Sequence, residues 1–280
     1  MSDVSEFRSL LFSIAYRMLG RVTEAEDMVQ ETFLRWHKQD VSEIREPKAW
    51  LTTAITRLCI DQMRSVRRQR EEYVGVWLPE PIIENETAPA ELADSLSTAF
   101  MMMLEELTPV ERAAFLLREA FGHDYAAIAE ITGKSEANCR QMVSRAKARL
   151  GKLDEPRPSS TEEAERLVKE FLTACETGEL KDLMSLLTDD AILYSDGGGV
   201  VRAAIWPIYG PDKIGRMFLG LRERSIVGWQ NRIVTINGSP GVITKRRDGS
   251  INVTTFSFED GRLKAIYMIR NPHKLESVRW

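Results

Sequence analysis

Two all-α domains followed by an α+β domain are what the sequence predicts, and three observations carry that expectation. Amphipathic helical periodicity runs from Ser5 to about residue 70, and resumes from about Ala90 to Leu150. Proline-stiffened stretches interrupt it at Trp77-Leu-Pro-Glu-Pro81 and again at Asp154-Glu-Pro-Arg-Pro-Ser159. Beyond the second break, β-branched runs alternate with Asn237-Gly238, Asp248-Gly249 and Asp260-Gly261, pairs that signal hairpins. A chain of 280 residues that is 43% hydrophobic can fill more than one core. The expected boundaries are 1–72, an acidic linker at 73–95, 96–153 and 160–280.

The elements follow in order. Phe7, Leu10, Leu11, Ile14 and Met18 form one stripe of a first helix. Thr23-Glu-Ala-Glu26 reads as a capping box, opening a helix with Ala25, Met28, Val29, Thr32, Phe33 and Trp36 on one face. Pro47 suits the first turn of a third helix, which carries Trp50, Leu51, Ala54, Ile55, Leu58 and Met63 into a basic stretch. Thr108-Pro-Val-Glu111 is a second capping box. Tyr125 to Ile131 forms a short amphipathic helix, Gly133 ends it, and Ser135 caps the next. That last helix buries Cys139, Met142, Val143, Ala146 and Leu150. Ser160-Thr-Glu-Glu163 caps a helix to about Cys175, a second runs to Leu187, and Pro211 opens a third. Strands are expected at Arg232–Ile236, Val242–Lys245, Ile251–Phe258 and Leu263–Ile269, as an antiparallel meander packed on helices.

Charge distribution says more than its sum. The formal net charge is −4, yet Arg57, Arg64, Arg67, Arg68 and Arg70 face only Asp61 in their stretch. Arg140 to Lys152 contains no acid, while Glu71 to Glu111 contains no Lys or Arg. Two basic helices joined by an acidic connector suit two phosphate contacts separated by a segment that avoids phosphate. The three cysteines (Cys59, Cys139, Cys175) lie far apart in helical patterns and read as buried thiols. No ligand cluster for a metal is evident, no cofactor is expected, and neither a membrane span nor a secretory leader is read. A cytoplasmic protein is the expectation.

The helix–glycine turn–helix from Tyr125 to Arg149 presents Ser135, Asn138, Arg140, Gln141, Ser144, Arg145, Lys147 and Arg149 away from its apolar face. Amides and guanidiniums can read base edges in a major groove, and hydroxyls and cations can hold phosphates. An ordinary helical hairpin fits the same stretch. Trp50, Thr53, Arg57, Asp61 and Arg64 lie on or near one helical face and could receive a base that has left the stack.

These stretches carry a resemblance. "TEAEDMVQETFLRWH", "PKAWLTTAITRLCIDQMRSVRRQRE" and "LTPVERAAFLLREAFGHDYAAIAEITGKSEANCRQMVSRAKARL", in that order over the first 150 residues or so, resemble the two sigma domains of an extracytoplasmic-function sigma factor. The resemblance implies two partners, the RNA polymerase core enzyme and promoter DNA with its −35 and −10 elements. It implies that Asp27, Gln30, Glu31, Phe33 and Leu34 dock on the polymerase. It further implies that Trp50, Arg57, Asp61, Arg64, Arg67 and Arg68 act at the −10 element, and the helix from Ser135 to Arg149 at the −35 element. Many relatives carry Asn where this chain has Arg57.

Residues from about 160 to 275 resemble a SnoaL-like domain, a cone of curved sheet and helices around a pocket. The whole chain resembles the sigma-factor subfamily with such an extension, in which three motifs recur. They are matched here by Trp77, Leu78, Pro79, Glu80 and Pro81; by Asp196, Gly197, Gly198 and Gly199; and by Asn271, Pro272, His273, Lys274 and Leu275. In that subfamily the extension is implicated in controlling sigma activity, and no enzymatic role is expected. This chain departs at Val200, where relatives often carry Lys, and Arg202 is the nearby cation that could replace it. The alternative is a pocket that binds a small-molecule ligand as a sensor, or converts it in the manner of an isomerase. Asp189, Asp190, Tyr194, Asp196 and His273 would be its acid–base groups. Asp196-Gly-Gly-Gly is no phosphate loop, since no Gly-Lys-Ser/Thr leads into a helix; the glycines instead precede a strand-like apolar run from Val200 to Trp206. A glycine-permitted turn fits, and so does a surface on which the Trp77–Pro81 segment sits.

Overall fold

A computed structural model describes residues 4–40, 44–71, 73–84, 97–151, 160–221 and 229–280, with the backbone alone described for 66–71. The chain divides into two compact units, Met1–Glu71 with Met101–Asp154, and Glu72–Phe100 with Glu155–Trp280. The division differs from a simple succession of domains. Both helical stretches fall in one unit, and the described part of the expected linker, 73–84, falls in the other. The break at Asp154 to Ser159 and the predicted resumption of helix near Ala90 lie outside the described residues.

In the helical unit, α1 (Arg8–Leu19), α2 (Val22–His37) and α3 (Pro47–Glu71) pack together, and α4 (Thr98–Leu104) leads in from the boundary between units. The unit is completed by α5 (Pro109–Glu119), α6 (Tyr125–Thr132) and α7 (Glu136–Leu150). Gly20 ends α1 with φ 72, a conformation that a Cβ would disfavour. The capping box expected at Thr23 does not form. Extended Arg21 takes the N-cap position of α2 and bonds Glu24, while Glu26 pairs with Arg8. Along α3 the buried stripe is Leu51, Ile55 and Cys59 with Thr52, Thr56 and Ile60, leaving Trp50, Ala54, Leu58 and Met63 partly exposed. The Thr108 box does form in full, its hydroxyl accepting from the Glu111 N–H while the Glu111 carboxylate accepts from the Thr108 N–H.

Two arginines tie α5 and α6 to the first three helices. Arg112, fully buried, donates from Nε to the Arg17 carbonyl at 2.9 Å and pairs with Glu105 at 2.6 Å. Arg57 donates to the carbonyls of Ile131 and Glu130, at 3.1 and 2.7 Å, near the end of α6. Such bonds satisfy helix-terminal carbonyls that lack intrahelical donors.

The α+β unit holds α8 (Thr161–Thr177), α9 (Leu180–Ser185), β1 (Leu187–Asp196), β2 (Ile208–Tyr209), α10 (Pro211–Leu221), β3 (Gln230–Ile236), β4 (Ser239–Lys245), β5 (Ile251–Glu259) and β6 (Arg262–Ile269). Among the described residues the sheet has six strands in the order β2-β1-β6-β5-β4-β3, antiparallel except where β1 runs parallel to β6. Register shifts within β1 and β5 bend it. Asn237 and Asp260 adopt positive φ ahead of Gly238 and Gly261, as two-residue hairpin turns require. Helical and α+β units therefore occur in the predicted order, with the sheet curved around its helices. Phe171 of α8 meets Phe218 of α10 and Phe256 of β5 edge to face, at 5.0 and 5.4 Å, so aromatic rings fill the space under the sheet.

The strand expected after the glycines does not form. Strand β1 ends at Asp196, and Val200 to Trp206 is irregular chain with Val200, Ile205 and Trp206 exposed. The carboxylate of Asp196 and the positive φ of Gly198 and Gly199 turn the chain away from the sheet at this point.

Candidate functional site

The predicted −35 reader, α7, is built by one-sided burial. Cys139 and Val143 enter a core with Leu117, Ile128 and Ile131, and Ala146 and Leu150 are buried on the same side, fixing which face is left outward. Ser135, Asn138, Arg140, Gln141, Ser144, Arg145, Lys147 and Arg149 are all exposed on that outward side. Ser135 caps the helix, its hydroxyl accepting from the Asn138 N–H at 3.3 Å. Three of the cations have modest local anchors: Arg140 bonds Glu136 and stacks over Tyr125, Lys147 pairs with Glu119, and Arg149 donates to the Glu106 carbonyl.

On α3, Trp50, Thr53 and Arg57 line a cleft of about 580 Å³ whose other wall is His123, Ala127, Glu130 and Ile131 of the same unit. Trp50 meets Trp36 edge-on at 5.4 Å. Asp61 and Arg64 lie further along the exposed surface and pair with each other at 3.1 Å. The side chains of Arg67 and Arg68 lie outside the described residues. Burial holds the His123 imidazole below its ordinary range, with the Lys48 charge adding to the effect. On α2, Asp27, Gln30 and Leu34 are exposed, while Glu31 and Phe33 are half-buried, with Glu31 accepting from Arg35. Leu34, at 48% exposure, is one of the large apolar side chains left open to solvent.

The α+β unit holds its predicted residues in the opposite way. Asp196, at the end of β1, is 0% exposed. Its carboxylate accepts from Tyr73 Oη at 2.5 Å, the Leu78 N–H at 2.9 Å, the Gly198 N–H at 3.0 Å and Lys274 Nζ at 2.7 Å. Lys274 also donates to the Leu78 carbonyl and sits over the rings of Trp77 and Tyr73, at 4.2 and 5.0 Å. Asn271 donates to Tyr73 Oη at 2.9 Å, and Pro272 begins the short 3₁₀ turn that carries Lys274 inward. Leu78, Pro79, Glu80 and Pro81 are buried. The glycines are spatial requirements. A Cβ on Gly197 would stand 2.3 Å from the Val201 carbonyl, one on Gly198 2.2 Å from Asn271 Nδ2, and one on Gly199 3.2 Å from Val74.

A second row of bonds holds the same segment. The Ile82 N–H donates to Asn237 Oδ1 at 2.7 Å, Ile83 bridges Ile236, and Glu84 accepts from the Gly238 N–H at 2.8 Å. Sequence reasoning missed Tyr73, Asn237 and Glu84. Asn237-Gly238 was legible only as a turn, and Tyr73 stands outside the Trp77–Pro81 motif. The expected substitution of Arg202 for a missing lysine is not what the geometry shows. Arg202 is exposed, and Lys274 is the cation at Asp196.

The acid–base groups of the enzyme alternative do not converge. Asp189 and Asp190 are exposed beside Arg262 and Lys264. Tyr194 stacks on Tyr267, and His273 is exposed next to Glu276. Hydrogen bonds from Lys264 and Thr188 hold Asp190 below the usual carboxylate range, the reverse of what a base raised toward neutrality needs. All three cysteines are free and buried, burial pushing the Cys175 thiol up to about 12. Among the described residues, no helix is long and apolar enough to cross a membrane.

Comparison with known proteins agrees with this architecture. Residues 4–69 match the family model for Sigma-70 region 2, and residues 97–150 that for Sigma-70 region 4. The ECF RNA polymerase sigma factor SigJ of Mycobacterium tuberculosis is 36% identical over 97% of this chain and 93% of its own length. The probable sigma factor SigI of the same organism is 32% identical over 97% of this chain and 93% of its own. The crystal structure of Mycobacterium tuberculosis SigJ superposes with a TM-score of 0.82 at 34% identity, covering 98% of both chains. The chain belongs to the extracytoplasmic-function RNA polymerase sigma factors, which direct the polymerase to promoters and initiate transcription.

Proposed function

We propose that this sigma factor is regulated from within its own chain, its α+β unit gripping the segment between the two promoter-reading regions. The observation that carries the reading is the buried Asp196 carboxylate, which holds Tyr73, Leu78 and Lys274 at once. A residue in 73–84 cannot follow the path of a free connector while these bonds are made. Polymerase or a signal that binds better to the released segment then shifts the equilibrium by its differential affinity. Apparent polymerase affinity falls with the fraction of molecules held.

In the same reading, α2 offers Asp27, Gln30, Glu31, Phe33 and Leu34 to the polymerase. The α3 face with Trp50, Arg57, Asp61, Arg64, Arg67 and Arg68 acts at the −10 element, and the exposed side of α7 at the −35 element. Arg57 has to leave the carbonyls of Glu130 and Ile131 before it can reach a base. No observation favours a small-molecule sensor over this reading.

The test is promoter-dependent transcription with the full chain carrying Asp196→Asn together with Lys274→Met, which removes both charges and leaves α2 and α7 untouched. Altered output or altered polymerase affinity in a folded variant supports the reading. Unchanged output and unchanged affinity defeat it.

A further inference from the structure

Strands β3 to β6 alternate in direction, so β3 and β5 begin, and β4 and β6 end, at one end of the sheet. The chain places Arg232 on β3, Lys245 at the end of β4, Arg246 and Arg247 directly after it, Arg270 directly after β6, and Arg279 near the C-terminus. Contacts draw these residues together. Arg232 and Lys245 both stand over the Trp280 ring, at 5.6 and 5.7 Å. Arg232 also donates to the Arg279 carbonyl at 2.7 Å, and Arg246 lies over Trp229 at 5.4 Å. Burial and the neighbouring Arg246 charge hold Arg270 below its ordinary range.

Elsewhere in the unit cations are matched with acids: Arg166 with Glu170, Lys169 with Glu165, Arg216 with Asp212, and Lys264 with Asp190 and Glu259. At this end, among the described residues, no carboxylate forms an ion pair with any of the six. The nearby Asp248 accepts from the N–H and hydroxyl of Ser250, and its charge acts on Arg246 and Arg270 without a direct ion pair. Nε of Arg246 and Nε of Arg270 are buried with no acceptor among the described residues. Buried donors, and six cations with Asp248 as the one acid acting on Arg246 and Arg270, mark a place in a chain of net charge −4 where a further anion completes the structure.

We propose that this end of the α+β unit binds the phosphate backbone of promoter DNA, as a third DNA contact beside those of α3 and α7. Phosphate fits the donors because arginine presents a planar fork that can hold two oxygens. Tryptophan rings hold the long side chains in place, lowering the entropy lost when they bind. Such contacts position a protein on a duplex without reading its sequence. Promoter DNA is the polyanion on which a sigma factor of this family works.

The experiment measures binding of the full chain to a labelled duplex of non-promoter sequence over a range of salt, and to a single-stranded RNA of equal length. The variant Lys245→Ala/Arg246→Ala/Arg247→Ala is expected to weaken duplex binding. It should also flatten the dependence of log K on log salt by about 2–3, near 0.9 for each phosphate no longer neutralised. Arg247→Glu, an exposed turn position, reads the same surface if the triple variant does not fold. A salt dependence unchanged in folded variants overturns the proposal, as does a loss confined to the RNA. Asp196 and Lys274 are intact in both variants, so failure here leaves the regulatory reading standing.

Discussion

Along α7 the polar residues are exposed and lightly anchored, whereas around Asp196 they are buried and bonded to one another. Both sets were singled out by short motifs of similar polarity. In the proposed function their burial separates two kinds of work. A surface that meets DNA must keep its donors available, so it is held by the apolar side of its helix. A clamp on its own chain must exclude water, so that a carboxylate and an ammonium interact strongly and have no cheaper partner. The contrast teaches that substitutions at the first kind of site should cost promoter binding and spare the fold, and that substitutions at the second should cost both.

The largest expected effect is at the clamp. Asp196→Ala leaves Lys274 buried without its carboxylate and removes the acceptor of the Leu78 and Gly198 N–H groups. A loss of about 3–5 kcal/mol from the α+β unit is expected, read by denaturant melts. The Asp196→Asn/Lys274→Met pair should cost less than the single replacement, because no charge is left unpaired. Arg112→Ala provides the matching probe of the helical unit, since it strips a donor from the Arg17 carbonyl and an ion-pair partner from Glu105. About 2–4 kcal/mol should be lost there.

Gly198→Ala comes next. Its backbone has φ +61, and a Cβ would press on the Asn271 amide that donates to Tyr73. A cost of about 1–3 kcal/mol is expected in the melt. On α7, Arg145→Ala should reduce affinity for a cognate promoter by about tenfold or more, with stability changed by less than about 0.5 kcal/mol. A clear fall in melting stability for this variant would break the contrast between the two regions. Finally, Thr108→Ala removes the cap of α5 and should cost about 1 kcal/mol, read by the same melts.

Much of the fold was legible because local rules and burial agree. The α7 stripe repeats at helical spacing, Thr108 and Glu111 form their reciprocal bonds, and Asn237-Gly238 and Asp260-Gly261 take the φ values their turns demand. Thr23 failed because an extended Arg21 starts the helix two residues earlier. Strand β1 escaped notice because Asp189 and Asp190 interrupt its apolar pattern, exposed between buried neighbours. The three motifs of the clamp were legible as neighbours only through resemblance. Their contacts join Leu78 to Asp196 and Asp196 to Lys274 across long stretches of chain, and no local pattern records such pairings. The basic end of the sheet was equally hidden, since Arg232, Arg246 and Arg270 share one end only because the strands alternate.

If the α+β unit grips the segment following α3 through Asp196, the Leu78 N–H reports on it directly, because it donates to that carboxylate. Amide hydrogen exchange at Leu78, measured in the full chain and in the Asp196→Asn/Lys274→Met variant, is the decisive comparison. Strong protection is expected in the native chain and exchange near the rate of an open peptide in the variant, while the sheet amides of β5 and β6 stay protected. Rapid exchange at Leu78 in the native chain, or equal protection in both, would contradict it.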